Sequence, residues 1–302
     1  MRSLFFYVVF CVVNIALSQS DTSIIKGHFS EIINPNVARN HENISELNRV
    51  ANYIHNQFAT YGDSTVFQEY RVGNLTYKNV ITSFGDPLAP RIIIGAHYDV
   101  CGNQDGADDN ASGIIGLLEI ARQLDTSKLK FRVDLVAYSL EEPPFFRSEN
   151  MGSYVHAKYL YDNNINVYGM ICLEMIGYFS DEKKSQSYPL GILKLIYGGK
   201  GDFITVVRKT NSGRFARKYK SEIKKIKLLK TKSFQGPANL VGIDFSDHLN
   251  YWKFGYSAVM ITNTGFFRNK NYHLKDDKVS TIDFYRMALV IDETINAIYL
   301  LK

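Results

Sequence analysis

"RIIIGAHYDVCGNQDGADDNASGIIGLLEIARQL", Arg91 to Leu124, passes from an unbroken apolar run through a knot of acid into a second apolar segment. The run Ile92 to Ala96 has no polar alternation, so it reads as a strand covered on both faces, the kind found inside α/β sheets. "ASGIIGLLEIARQL" repeats its apolar residues at helical spacing, which makes the unit strand, loop, helix. The alternation recurs in the strand "FRVDLVAYSL" stopped by "EEPP", the helix "SENMGSYVHAKYLYDN" and the strand "VYGMICLEMIGYF". The expected fold is therefore α/β, a three-layer α/β/α sandwich around a central mixed, mostly parallel sheet.

Outward from this centre, "ENISELNRVANYIHNQF" reads as a helix capped by Asn43 or Ser45, followed by strands "TVFQEYRV" and "YKNVITSFG". Downstream the pattern runs through "LKLIYGG", a helix near "FITVVRKT", the strand "KKIKLLKTK", the helix "SDHLNYWKFG", the strand "SAVMITNT" and a terminal helix from about Ser280. At 302 residues and 45% hydrophobic content the chain can bury one large core, and fibre, coiled coil and disorder are excluded. Arg2, the apolar stretch Leu4 to Leu17 and the small-residue context before Gln19 read as a signal peptide over 1–18, leaving 19–302 as a single domain exported to the periplasm or outside the cell. No other stretch approaches membrane-spanning length, so the mature chain should have no span.

The formal charge of +5 is modest, and much of it sits in "RFARKYKSEIKKIKLLKTK", where nine Lys or Arg meet one Glu. A solvated helix face running into a lysine-guarded edge strand explains this better than an anion-binding patch, and no nucleic-acid motif accompanies it. Cys101 and Cys172 remain after the leader; one disulfide is open, but two small buried residues near the site is the preferred reading. Asn43, Asn74 and Asn110 fit the glycosylation sequon.

The acid falls at strand ends, where α/β sheets place their sites. His97 and Asp99, two apart in an extended strand, share a face, so Asp99 can accept the spare ring N–H of His97. In "GADDNASG" a helix cap accounts for at most one of Asp108, Asp109 and Asn110. Glu141 and Glu142 leave an apolar strand just before Pro143 and Pro144, which take the chain out of the ladder and let both carboxylates turn one way. Glu174 lies inside so apolar a strand that it needs a cation. His273 follows in the polar loop "FRNKNYHLKDD". Two histidines and at least three carboxylates without thiolate suit zinc, or less specifically manganese or cobalt.

The order HxD, GADDNASG, EE, an acidic residue followed by Met, SDH and YH resembles the zinc exopeptidases typified by secreted bacterial leucyl aminopeptidases and aminopeptidase Y, a family that also contains glutamate carboxypeptidases and glutaminyl cyclases. The resemblance spans roughly Asn79 to Tyr285. It implies that Asp109 bridges two zinc ions, one completed by His97 and Glu174 and the other by Glu142 and His273, with Glu141 as general base and Asp99 orienting His97. Ser246 to His248 would line the site, with a helix cap as the equal alternative. Where the two-zinc relatives carry Asp, this chain has Glu174, which leaves metal spacing and the choice of one or two zinc ions open. The implied activity is a monomeric aminopeptidase acting on peptide or protein N-termini. The alternatives are a glutaminyl cyclase, less favoured because Tyr272 stands where the cyclases carry Trp, or a secreted binding domain without catalysis. Tyr188, Phe266, Phe267, Arg268 and Tyr272 are candidate substrate contacts by position.

Overall fold

A computed structural model describes residues 20–302; the expected leader at 1–18 lies outside the described residues. In chain order the elements are α1 (Thr22–Ile32), α2 (Ile44–Tyr61), β1 (Ser64–Val72), β2 (Leu75–Phe84), β3 (Arg91–His97), an irregular helical turn (Ala107–Ser112), α3 (Gly113–Gln123), β4 (Arg132–Tyr138), α4 (Gly152–Asp162), β5 (Val167–Glu174), α5 (Leu193–Tyr197), β6 (Ile204–Lys209), α6 (Gly213–Ile226), β7 (Thr231–Gly236), α7 (His248–Lys253), β8 (Ala258–Thr262) and α8 (Phe284–Leu300).

One eight-stranded sheet has the order β1-β2-β4-β3-β5-β8-β6-β7. Its centre, β4-β3-β5-β8, is parallel throughout. The flanks make it mixed: β2 runs antiparallel to β1 and β4, and β6 runs antiparallel to β8 while pairing parallel with β7.

The apolar strands sort their residues by period two. Ile92, Ile94 and Ala96 of β3, with Ile171 and Leu173 of β5, join the core under α1, α2, α3, α6 and α8. Ile93, Val136, Met170, Cys172 and Met260 join the opposite core under α4 and α7. His97 and Glu174 continue the second set, so both end their strands on the α4/α7 side. Gly95 permits close packing there, because a Cβ would fall 2.2 Å from Cε2 of Tyr138.

Several expectations change. "FITVVRKT" is not helical but β6, since its β-branched Thr205, Val206 and Val207 pack into the sheet. Most of "KKIKLLKTK" is not strand: α6 continues to Ile226, with Phe215, Ala216, Tyr219 and Ile223 buried at helical spacing, and β7 begins only at Thr231. β7 is the outer strand, so the lysines do flank an edge. "LKLIYGG" forms only the short α5. α1 was not foreseen, although Ile25, Phe29 and Ile32 bury one stripe of it. Asn43 takes the cap position of α2 without capping it; its amide donates to the Ala38 carbonyl at 2.8 Å. Of the sequons, Asn74 is exposed, whereas Asn110 is wholly buried and engaged at both ends of its amide.

Candidate metal centre

Because β4, β3 and β5 run the same way, their carboxyl ends open on one edge, and the acidic residues arrive there together. His97 and Glu174 are the last residues of β3 and β5. Asp109 sits in the irregular turn before α3, Glu141 and Glu142 follow the end of β4, and His273 comes from the loop between β8 and α8.

The donors fall into two groups that share Asp109. His97 Nε2 lies 3.5 Å from Asp109 Oδ1 and 3.4 Å from Glu174 Oε2. His273 Nε2 lies 3.3 Å from Asp109 Oδ2 and 3.0 Å from Glu142 Oε2. Glu141 stands beside the first group, with Oε2 3.9 Å from His97 Nε2.

Electrostatics shows a surplus of negative charge. Burial drives the Glu141 and Glu174 carboxyls above the usual range and takes Glu142 up to about 7, with Asp109 beside it adding to the rise. Burial works to lower the imidazoles, yet the facing carboxylates overcome it, raising His97 well above its usual value and His273 to about 10. Asp109 is held low despite its burial, because one imidazole faces each of its oxygens. Asp109 Oδ2, Glu142 Oε1 and His273 Nε2 are buried without hydrogen-bond partners. Orphaned nitrogen and carboxylate donors under surplus negative charge fit a divalent cation, and this donor set fits zinc.

Three buried aspartates hold the donors in place. Asp99 Oδ1 accepts the Glu141 N–H at 3.2 Å and Oδ2 the Glu142 N–H at 3.1 Å. The same residue stands beside His97: its carboxylate lies 3.6 Å from His97 Nδ1, and that nitrogen meets the Asp99 carbonyl at 3.3 Å. Leu140, at φ 60°, turns the chain out of the ladder, and the Asp99 carboxylate then aligns both glutamates.

Asp277 repeats the device: its two oxygens accept the N–H groups of Asp108 and Asp109, each at 3.0 Å. Asp108 itself faces away from the donors. Its Oδ1 accepts from the Gly177 and Tyr178 amides at 2.9 and 3.1 Å, and its Oδ2 from Asn263 and Asn269 Nδ2 at 2.8 and 2.9 Å. Beneath them the buried Arg39 donates to the carbonyls of Tyr98, Asp105 and Gly106. Sequence reading missed Asp277, Asn263, Asn269 and Arg39; only Asp277 carried a signal, as the second acid of "KDD" shortly after His273.

A cleft of about 900 Å³, continuous with solvent, opens over the cluster. Asp109, Glu141, Glu142 and Glu174 line it, with Tyr188, Phe266, Phe267 and Tyr272 among its aromatic residues. Tyr272 stacks on His273, ring centroids 3.8 Å apart. Three other expected substrate contacts do not line it. Ser246 is buried and donates to Glu174 Oε2 at 2.6 Å. His248 is buried edge-on against Trp252 and donates from Nε2 to the Ile243 carbonyl at 2.7 Å; burial lowers it to about 4, so it is neutral. Arg268 turns inward, donating to Gln186 Oε1 at 2.8 Å and lying over the Phe203 ring. Asp247, between Ser246 and His248, is buried with neither oxygen hydrogen-bonded, and burial raises it to about 7. Cys101 and Cys172 are both free, so no disulfide joins them.

Residues 79–297 match the model of peptidase family M28, and the chain belongs to that family. Family membership makes it a hydrolase of the metallopeptidase type. It is 43% identical over 269 residues to the uncharacterized protein YfbL of Escherichia coli (strain K12), covering 86% of this chain and 82% of that protein. In fold it is similar to the LapA aminopeptidase of Legionella pneumophila, with a TM-score of 0.73 at 20% identity over 99% of this chain and 78% of that one. It is similar also to a glutaminyl cyclase of Bacteroides thetaiotaomicron, with a TM-score of 0.69 at 20% identity over 95% of this chain and all of that one (100%). Among the described residues no helix is long and apolar enough to cross a membrane.

Proposed function

We propose that this chain is a zinc aminopeptidase, cutting the first peptide bond of peptides and proteins, with 19–302 acting as a single monomeric catalytic domain. The observation that carries the reading is the division of Asp109, whose Oδ1 faces His97 and whose Oδ2 faces His273. One set would hold zinc by His97, Asp109 and Glu174, the other by Asp109, Glu142 and His273. Zinc bound there supplies Lewis acidity, polarising the scissile carbonyl and acidifying water.

The chain's own groups account for the rest. The Glu141 carboxylate reaches the cluster, 3.9 Å from His97 Nε2, without a side-chain hydrogen bond among the described residues, which leaves it to take the proton of the attacking water and return it to the leaving amine. One of the two sets, with its zinc, would also receive the substrate's free α-amino group, which favours chain ends over internal bonds. Phe203, Val207, Phe234, Ile243 and Met260 in the walls favour an apolar first residue.

Glu141→Gln tests the reading: zinc content should be unchanged while turnover of aminoacyl-nitroanilides falls on the order of 10²–10⁴-fold. Full activity in that variant overturns the assignment. Glutaminyl cyclisation is the second reading. It is favoured by the engagement of Glu174 Oε2 with Ser246, which competes with metal at the first set. One zinc per chain and turnover of N-terminal glutaminyl peptides alone would select it. Export is supported by the apolar run Leu4 to Leu17; protein sequencing of secreted or periplasmic material should begin near Gln19, and a retained Met1 would refute cleavage.

A further inference from the structure

The second set of donors has a neighbour that neither the family nor the aminopeptidase reading uses. Cys101 stands four residues after His97 in the loop leaving β3, partly buried and free. Its Sγ, one carboxylate oxygen of Glu142 and one ring nitrogen of His273 all lie within 4.8 Å of one another. Glu142 is 4% exposed, and its Oε1 and His273 Nε2 are both buried without a hydrogen-bond partner. Asp109 Oδ2, 3.3 Å from His273 Nε2, adjoins this group of thiol, carboxylate and imidazole. The groups around His97, with Asp109 and Glu174 on one side and Glu141 and Glu142 on the other, contain no sulfur.

We propose that Cys101 is a fourth protein ligand of the zinc held by Asp109, Glu142 and His273, an inference that rests on the metal reading above. On binding, the thiol proton leaves to solvent and a sulfur lone pair forms the zinc–sulfur bond; nothing is oxidised or reduced. The two metal positions are then unequal. Four protein donors are the complement of a closed, anchoring zinc, whereas three leave a coordination position for water or substrate. Thiolate also biases the second position toward zinc and cobalt over magnesium or manganese.

The test is cobalt reconstitution of the metal-stripped protein. Wild type loaded with Co²⁺ should show a sulfur-to-cobalt charge-transfer band in the near ultraviolet, retained in Cys172→Ser and lost in Cys101→Ser. Zinc should leave the second site of Cys101→Ser at a chelator concentration at least about ten-fold lower than in wild type. In the unaltered protein, iodoacetamide labelling of Cys101, read by peptide mass spectrometry, should proceed without zinc and be blocked with it. This last arm needs no variant to fold. Two cobalt ions per chain with no charge-transfer band and unprotected Cys101 would overturn the ligation and leave the metal reading standing. Failure to bind zinc or cobalt at all would overturn both.

Discussion

Asp108→Asn is the substitution whose cost the structure states most directly. The Asp108 carboxylate is fully buried and accepts four N–H groups, from Gly177, Tyr178, Asn263 and Asn269. These come from the segments that follow β5 and β8, so one side chain ties the turn bearing Asp109 to two other strand ends. An asparagine of the same shape keeps one oxygen, and in either orientation its NH₂ faces two of the four donors. Losing a hydrogen bond to a charged acceptor costs about 1.5–3 kcal/mol, which puts two at about 3–6 kcal/mol. Burial also pushes the Asp108 carboxyl above its usual range, and the amide avoids that desolvation, so the expected loss sits near the lower bound, about 3 kcal/mol. For a chain of this size that lowers Tm by about 6–12 °C. Zinc affinity should also fall, by roughly 10–100-fold, because the adjoining Asp109 loses its support. Urea denaturation of the zinc-free protein followed by circular dichroism gives the first quantity, and chelator competition the second. A loss under about 0.5 kcal/mol together with unchanged zinc affinity would refute the reasoning, since it would mean that the four contacts hold nothing in place.

Asp99→Asn should leave the fold intact while activity falls about 10–100-fold, because one of the Glu141 and Glu142 amides loses its acceptor; activity equal to wild type would show that the clamp does not aim these carboxylates. His156 is buried and held at about 4 by desolvation, against about 6.5 when unfolded, so it stays neutral in the fold and its contribution to stability is lost as pH falls from about 6.5 toward 4. Between pH 7 and 5 wild type should therefore lose about 2 kcal/mol more than His156→Gln in urea melts, and parallel curves would contradict this. Gly95→Ala would put a Cβ 2.2 Å from the Tyr138 ring, which the 2.6 Å bond from Tyr138 Oη to Tyr251 Oη keeps from moving aside. A destabilisation of about 1–3 kcal/mol is expected, and a melting temperature equal to wild type would show that the ring has room.

The central strands were legible because two-sided burial writes apolar runs, unbroken in β3 and β8, ending at Glu174 in β5 and interrupted only by Asp134 within β4. β6 was misread because "FITVVRKT" lies on the flank of the sheet and ends in charge, so its pattern matched neither template cleanly. His97, Asp109, Glu141, Glu142, Glu174 and His273 stood out because carboxylates and imidazoles at the ends of apolar strands are costly unless a cation compensates them. The groups that aim them left almost no trace. Asn263, Asn269 and Arg39 went unremarked and Arg268 read as a cleft residue, because burial of a single polar side chain depends on what packs over it.

What the amino-acid order determined by itself is the chemistry on offer: which residues can hold a metal or move a proton, and that parallel strands would gather them at one edge. What only the tertiary structure decided is which atom faces which. Asp99 holds two backbone amides with its carboxylate while standing 3.6 Å from its histidine. Asp108 ties strand ends together while Asp109, the next residue, divides its oxygens between two imidazoles. Adjacent aspartates are equivalent in a sequence. They differ in the fold because each carboxylate is assigned by donors that arrive from distant parts of the chain.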